Sequence, residues 1–380
     1  MGHPPIKPET LAARALGRID PDTGAINPPL HLSSTFERAP DNSYPLGRVY
    51  ARADNPAFDA PQTLLAQLEK GAGAMLFASG MAAATAAFLA LVPGDHVVAP
   101  KVMYWSLRNW LANYLRGMGI AVDFVDMTDL AALTAAMRPG KTRLVWVETP
   151  ANPLWEITDI VAAAEIAHAA GARLIVDSTV ATPVFTRPLE LGADLVMHSA
   201  TKYLNGHSDL VAGALVTRVA DDYWERVRSV RTQIGGILGS FESWLLLRGM
   251  RTLYPRVRAA AASAQFLAEQ LSADPHVAEV LYPGLPSFKG HAVAARQMQG
   301  GFGAMLSIRV KGGAEAAIST AARMEIWTRA TSLGGVESLV EHRASVEGLG
   351  TPCPPDLLRL SVGIEDAGDL LADMQKALAR

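Results

Sequence analysis

Two predicted strands of this 380-residue chain end in side chains that could do chemistry. Asp177 follows the apolar run Leu174–Val176, and Lys202 closes the segment that follows the run Leu195–Met197. The aspartate and the lysine lie 25 residues apart (202 − 177 = 25), about one strand–helix unit. Ligands of open α/β sheets bind at the carboxyl ends of the strands, so we expect this carboxylate and this amine to lie close together.

A carboxylate and an amine in one crevice suit pyridoxal 5′-phosphate (PLP). The lysine can form a Schiff base with the cofactor, and the aspartate can keep the ring nitrogen protonated. Ser199 and Thr201 add hydroxyls that suit a phosphate, as does the segment 79–81, which lies between a predicted strand and an Ala-rich helix. Each feature alone is more often a helix cap or a solvated side chain, so these residues leave both interpretations open.

The elements that must position these residues alternate along most of the chain. Short Val/Ile/Leu runs alternate with helical segments as far as about residue 240, and the runs contain few polar residues, which predicts strands buried on both faces of a mostly parallel sheet. We predict a proline-rich N-terminal arm over 1–49, an α/β domain over 50–240 and a smaller C-terminal α+β domain over 241–380.

The composition excludes several classes of protein. With 49% hydrophobic and 19% charged residues, the chain can bury a large core and is not a disordered protein. A formal net charge of −3 argues against binding to nucleic acid or to an anionic membrane, and we interpret Arg226, Arg228 and Arg231 as a solvated helix face. The histidines lack zinc-ligand spacing, so we expect no metal. Without an apolar segment long enough for a signal peptide or a membrane span, we expect a cytoplasmic protein.

Longer motifs run almost from end to end of the chain. They are VYARADNP (49–56), FASGMAA (77–83), VETPANP (147–153), VDSTVATPVFTRPLELGADLVMHSATKYLNGHSD (176–209), SLGGVESL (332–339) and RLSVGIED (359–366). In these motifs the chain resembles the Cys/Met-metabolism PLP-dependent enzymes, the family of cystathionine γ-synthase, cystathionine γ-lyase and methionine γ-lyase. The resemblance implies the PLP-dependent transferase fold type I, PLP as cofactor, and activity as a carbon–sulfur or carbon–heteroatom lyase or transferase.

The resemblance also implies a role for each matching residue. Lys202 is expected to bind the cofactor and to move protons, Asp177 to pair with the ring nitrogen, and Tyr104 to stack on the ring, contact the substrate and carry a proton. Arg359 is expected to bind the α-carboxylate of the substrate, helped by Ser332. The remaining cofactor contacts implied by the resemblance are Tyr50, Arg52, Ser79, Gly80, Met81, Asn152, Ser199 and Thr201.

Self-association is a further implication of the resemblance. Tyr50 and Arg52 match a Tyr-x-Arg pair that reaches the cofactor phosphate in the neighbouring subunit. The resemblance therefore implies dimers with shared active sites, which pair into a homotetramer.

Departures from the family pattern concern the substrate. Val49 and Thr331 replace glutamates that typically precede the Tyr-x-Arg and Ser-Leu-Gly-Gly motifs, and Arg343 stands where the family has proline. Since those glutamates would bind the distal amino group of cystathionine, we expect γ-elimination or γ-replacement on another γ-substituted L-amino acid, such as methionine, an O-acylhomoserine or canavanine. Ser332 followed by leucine favours the γ-acting branch. The alternatives are β-elimination, as in cystathionine β-lyase, and a catalytically inactive binding homologue.

Overall fold

The computed structural model describes residues 6–17, 19–348 and 352–379. Predictions that concern residues 1–5, 18, 349–351 and 380 fall outside these ranges. The helices are α1 (Pro8–Ala13), α2 (Pro56–Glu69), α3 (Gly80–Leu89), α4 (Trp105–Trp110), α5 (Leu130–Ala136), α6 (Ile160–Ala169), α7 (Thr182–Phe185), α8 (Asp222–Ile234), α9 (Ser240–Met250), α10 (Leu253–Ser272), α11 (His291–Gln297), α12 (Gly313–Arg323), α13 (Arg343–Glu347) and α14 (Ala367–Leu378). The strands are β1 (Gly73–Phe77), β2 (His96–Pro100), β3 (Ala121–Val125), β4 (Thr142–Glu148), β5 (Arg173–Asp177), β6 (Leu195–His198), β7 (Gly213–Thr217), β8 (Val277–Leu281), β9 (Met305–Val310), β10 (Thr328–Arg329), β11 (Leu339–His342) and β12 (Leu357–Ser361).

Seven strands form the larger sheet, in the order β1-β7-β6-β5-β4-β2-β3. The strands from β6 across to β3 pair in parallel, whereas β7 runs antiparallel to both of its neighbours, β6 and β1. The mostly parallel α/β sheet predicted from the sequence is therefore confirmed, with β7 as the antiparallel strand.

Successive residues of these strands belong to different hydrophobic cores. In β4, Val145 and Val147 pack into one core, and Leu144 and Trp146 pack into a second one on the opposite face. All four side chains are fully buried. A strand covered by helices on both faces has no solvent side, which explains why its sequence lacks polar alternation.

A second, five-stranded sheet has the order β10-β11-β12-β9-β8. Its central strands β11, β12 and β9 pair antiparallel, and Glu341 of β11 lies directly opposite Arg359 of β12. Buried residues of this sheet, such as Leu306 and Leu360, belong to the same core as Val145 and Val147 of the larger sheet. The two sheets are thus packed around one shared core. The predicted domain limits at residues 49 and 240 stay predictions.

One interpretation of the sequence is wrong. Arg226 and Arg228 are exposed as expected, but Arg231 is 4% exposed, and its Nε donates to the Leu76 carbonyl at 2.7 Å. Arg231 lies four residues after the buried Val227, so the helical repeat places it on the buried face of α8.

The described ranges contain no helix that is long and apolar enough to cross a membrane. Within the same ranges, no cluster of three or more His, Cys, Asp or Glu side chains has a geometry that could hold a metal ion. The cytoplasmic location stays a prediction.

Candidate active site

The carboxyl ends of β4, β5 and β6 open into a cavity of about 330 Å³ between the two sheets. Most of the site residues predicted from the sequence line this cavity. They are Ser79, Gly80, Met81, Tyr104, Asn152, Asp177, Ser199, Thr201, Lys202, Thr331, Ser332 and Arg359.

Three predicted site residues do not line this cavity. Val49 and Tyr50 are 49% and 50% exposed, and the exposed Arg52 donates to the Thr232 carbonyl at 3.3 Å. The Arg52 guanidinium lies 5.9 Å from the centre of the Tyr50 ring. Contact of Tyr50 and Arg52 with a neighbouring subunit's site stays a prediction, as does the position of Val49 near the substrate.

The N-terminus of α3 forms one end of the cavity. Ser79 caps the helix, since its side chain accepts a hydrogen bond from the Ala82 N–H at 3.0 Å. At Gly80 the backbone approaches Ser199 so closely that an added Cβ would lie 2.8 Å from the Ser199 side chain. Free N–H groups of the first turn, together with the Ser199 hydroxyl, are a donor set that fits a phosphate. The Thr201 hydroxyl also lines the cavity, but it donates to the Ala212 carbonyl at 3.1 Å and accepts from the Ala212 N–H at 2.9 Å.

Lys202 lies in the cavity with a weakly basic amine. Its Nζ donates to Ser332 Oγ at 2.7 Å. Burial, and then the nearby Arg359 guanidinium, lower the pKa of Lys202 to about 8, although the Glu341 carboxylate acts in the opposite direction. A larger fraction of Lys202 is therefore neutral at physiological pH than of an ordinary lysine, and the neutral amine is the nucleophilic form.

Asp177 ends β5 and faces the same cavity. Its Oδ1 accepts hydrogen bonds from the Thr179 N–H at 3.0 Å and the Thr179 hydroxyl at 2.5 Å, which leaves Oδ2 available to a group in the cavity. Burial raises the pKa of Asp177, and the bonds from Thr179 oppose this shift. A cationic partner such as a protonated ring nitrogen would favour the ionised carboxylate. The geometry therefore fits the role predicted for this residue.

Glu148 is a site residue that the sequence analysis missed. It ends β4 directly opposite Asp177, and its Oε2 and Oε1 accept the backbone N–H groups of Tyr104 at 2.7 Å and of Asn152 at 2.9 Å. Burial and the Asp177 carboxylate raise the pKa of Glu148. One carboxylate thus fixes the backbone of two predicted cofactor contacts. The rule that singled out Asp177, a polar residue at a strand end, applies equally to Glu148.

Arg359 projects into the cavity from the second sheet. Its Nη1 donates to Asn152 Oδ1 at 3.2 Å, and its Nη2 donates to the Ser332 carbonyl at 2.8 Å and contacts Glu341 Oε2 at 2.5 Å. Burial lowers the pKa of Arg359 to about 10, so the side chain stays a cation at neutral pH. A buried guanidinium is the group that binds a carboxylate with two parallel hydrogen bonds.

Comparison with known proteins agrees with this geometry. Residues 9–379 match the family model described as "Cys/Met metabolism PLP-dependent enzyme". The chain belongs to this family. It is therefore a PLP-dependent enzyme of the γ-synthase and γ-lyase type, and the cofactor and enzyme class predicted from the sequence are confirmed.

Individual relatives of this Cys/Met-metabolism enzyme cover nearly its whole length. A cystathionine γ-synthase of Mycobacterium tuberculosis is 45% identical over 99% of this chain and 98% of its own. An L-methionine γ-lyase of Pseudomonas deceptionensis is 40% identical over 94% of this chain and 93% of its own. A crystal structure of cystathionine γ-synthase from Xanthomonas oryzae in complex with cystathionine has a TM-score of 0.93 and 39% identity, covering 99% of this chain and 98% of its own.

Gly80→Ala is expected to weaken cofactor binding. The new Cβ would lie 2.8 Å from the Ser199 side chain and 3.2 Å from its Cα, so the backbone of Ser199 must shift. We expect the dissociation constant of PLP, measured by titration of the apoenzyme, to rise about tenfold or more. Gly117→Ala is the matched control, because an added Cβ there meets no atom within 4 Å. Equal affinities in the two variants would contradict the proposed phosphate site.

The lowered pKa of Lys202 predicts how fast the apoenzyme captures added PLP at each pH. Only the neutral amine reacts, so the rate should rise with pH and level off above the pKa of about 8. An ordinary lysine would give a rate that rises to about pH 10.4. Since the positive charge of Arg359 lowers the pKa of Lys202, Arg359→Met should move the midpoint to higher pH. A midpoint near 10 in the unsubstituted enzyme would contradict the proposed environment of Lys202.

Proposed function

We propose that this enzyme catalyses γ-elimination or γ-replacement on a γ-substituted L-amino acid other than cystathionine. One observation carries the proposal: Lys202 and Arg359 line the same cavity, and both donate hydrogen bonds to Ser332. An amine next to a guanidinium provides a base beside a carboxylate-binding group, which is what proton transfer at the Cα atom of an amino acid requires.

The proposed roles follow from the positions of the side chains. PLP, when bound, supplies the electron sink, with its phosphate at the N-terminus of α3 and its ring nitrogen at Asp177. Arg359 binds the α-carboxylate of the substrate and so fixes the Cα proton near Lys202 Nζ, which removes it. Tyr104 is half-exposed and lines the cavity, which supports the proposal that it donates a proton to the leaving group.

The carboxylates of the cavity support a substrate other than cystathionine. In the described ranges they are Glu148, whose two oxygens accept the backbone N–H groups of Tyr104 and Asn152, and Asp177, whose remaining oxygen is proposed to bind the cofactor ring nitrogen. In this proposal neither carboxylate is left to bind a distal ammonium group. Thr331, exposed at the cavity, offers only a hydroxyl, and Leu107 and Val211 add apolar surface. An uncharged γ-substituent, as in methionine or an O-acylhomoserine, suits this lining better than a distal ammonium group.

We also propose that the active sites are shared within a dimer, and that dimers pair into tetramers. The arm is anchored on its own subunit, where Trp244 Nε1 donates to the Pro28 carbonyl at 3.0 Å and Arg251 donates to Asn27 Oδ1 at 2.7 Å. Its end nevertheless leaves Tyr50 exposed and outside the cavity. An aromatic residue and a cation held at the surface in this way support a role in a neighbouring subunit.

A panel of amino acids tests the proposed reaction. The holoenzyme is incubated with γ- and β-substituted amino acids without a second nucleophile, and the released oxo-acids are identified by mass. We expect 2-oxobutyrate from a γ-substrate other than cystathionine. If no oxo-acid forms, a thiol is added and γ-replacement products are expected. Lys202→Ala should abolish both turnover and the visible absorbance of the bound cofactor. Pyruvate as the main product, or cystathionine as the preferred substrate, would overturn the proposal.

Thr331→Glu is expected to increase activity on cystathionine. A carboxylate at this position could form a charge-assisted hydrogen bond with the distal ammonium group, worth about 1.5–3 kcal/mol. We therefore expect kcat/KM for cystathionine, relative to methionine, to rise about tenfold or more. Thr331→Gln is the matched control, since it has the same length without the charge. A similar rise in both variants would show that side-chain size, and not charge, governs selection at this position.

A further inference from the structure

Arg343 is a second buried guanidinium in the wall of the active-site cavity. Its side chain is 5% exposed, and it begins α13, in the stretch where the sequence departs from the family pattern. Its Nη1 donates to Glu341 Oε2 at 2.9 Å, and its Nη2 donates to Glu347 Oε1 at 2.6 Å. Two carboxylates therefore hold this cation in place.

Glu341 is shared between two arginines. The same oxygen, Oε2, contacts Nη1 of Arg343 at 2.9 Å and Nη2 of Arg359 at 2.5 Å. The contact with Arg359 follows from the strand pairing, because the two residues lie directly opposite each other in β11 and β12. A carboxylate of the protein thus lies on the guanidinium that is proposed to bind the carboxylate of the substrate.

We propose that Arg343 is a positioning residue that sets the affinity of the enzyme for the substrate carboxylate by sharing Glu341, so that this carboxylate does not pair with Arg359 alone. The inference rests on the proposed role of Arg359. Without Arg343, Glu341 would be free to pair with Arg359 alone and would compete with the substrate. Arg343 also balances the charge of this cluster. Its two arginines, Arg343 and Arg359, neutralise its two carboxylates, Glu341 and Glu347, so loss of Arg343 would leave one negative charge in excess.

The contacts of Arg343 argue against direct binding of a substrate anion. Its guanidinium donates to two carboxylates, Glu341 and Glu347, whereas the Glu341 oxygen that contacts Arg359 is shared with Arg343. We therefore expect an effect of Arg343 on substrate binding to pass through Glu341.

Arg343→Met tests the inference, because methionine keeps much of the side-chain volume and removes the charge. We expect the dissociation constant of glycine, read from the cofactor absorbance, and the KM of a reactive substrate to rise about tenfold, with kcat changed less than about twofold. Arg343→Lys keeps the charge and should restore most of the affinity. Unchanged glycine binding in Arg343→Met would overturn the inference. Retained cofactor absorbance shows that each variant is folded.

A double-mutant cycle identifies the route of the effect. In a Glu341→Gln background the competing carboxylate is absent, so adding Arg343→Met should change glycine affinity by less than about twofold. An undiminished tenfold effect in that background would overturn the inference.

Arg359→Lys distinguishes a failure of the inference about Arg343 from a failure of the proposed role of Arg359. If Arg359→Lys binds glycine as tightly as the unsubstituted enzyme, the role of Arg359 fails. If Arg359→Lys weakens binding and Arg343→Met does not, only the inference about Arg343 fails.

Discussion

The site depends on Ser332, where two cations from different sheets meet. Its hydroxyl accepts a hydrogen bond from Lys202, which follows the larger sheet, and its carbonyl accepts one from Arg359 of the second sheet. To present both oxygens, Ser332 adopts a backbone φ of 92°, a left-handed conformation that costs a residue other than glycine about 1–3 kcal/mol. Such a conformation persists only where the surrounding structure holds it, so the two sheets must be docked in one fixed arrangement.

A polar contact in the shared core supplies this docking. The Trp155 indole N–H donates to Ser307 Oγ at 2.9 Å, and the Ser307 hydroxyl donates to the Pro153 carbonyl at 2.9 Å. Ser307 belongs to β9, whereas the other two residues belong to the loop after β4. The same loop carries Asn152, which contacts Arg359. Hydrogen bonds buried in an apolar core require specific geometry, so they fix the relative position of the sheets more sharply than apolar packing alone.

The sequence alone predicted the site residues that lie at the end of a strand or at the start of a helix. Asp177 and Lys202 each follow a buried strand, and Ser79 precedes a helix, so a strand-end rule and a capping rule suffice for them. Tyr104 and Arg359 have no such local signal, and only the resemblance to the family singled them out. The match to the Cys/Met-metabolism family confirms the predicted fold, cofactor and enzyme class.

What the sequence analysis missed depends on contacts between distant elements. Glu148 is important because it joins Tyr104 to Asn152, residues 44 and 4 positions away, and neither separation follows from a sequence pattern. The contacts of Glu148 are set by tertiary packing, which local periodicity does not encode. Arg231 was misinterpreted for another reason, because its charge was given more weight than its spacing of four residues from Val227, which places it on the buried face of α8.

The position of the anchoring groups across the cavity fits the proposed binding of an amino acid. Asp177 belongs to the larger sheet, and Arg359 belongs to the second sheet, where it contacts Glu341. Lys202 lines the same cavity and donates to Ser332, which also accepts a hydrogen bond from Arg359. In the proposed function Asp177 would hold the cofactor ring and Arg359 would hold the substrate carboxylate. Each sheet would thus contribute one of the two groups that orient the substrate relative to Lys202.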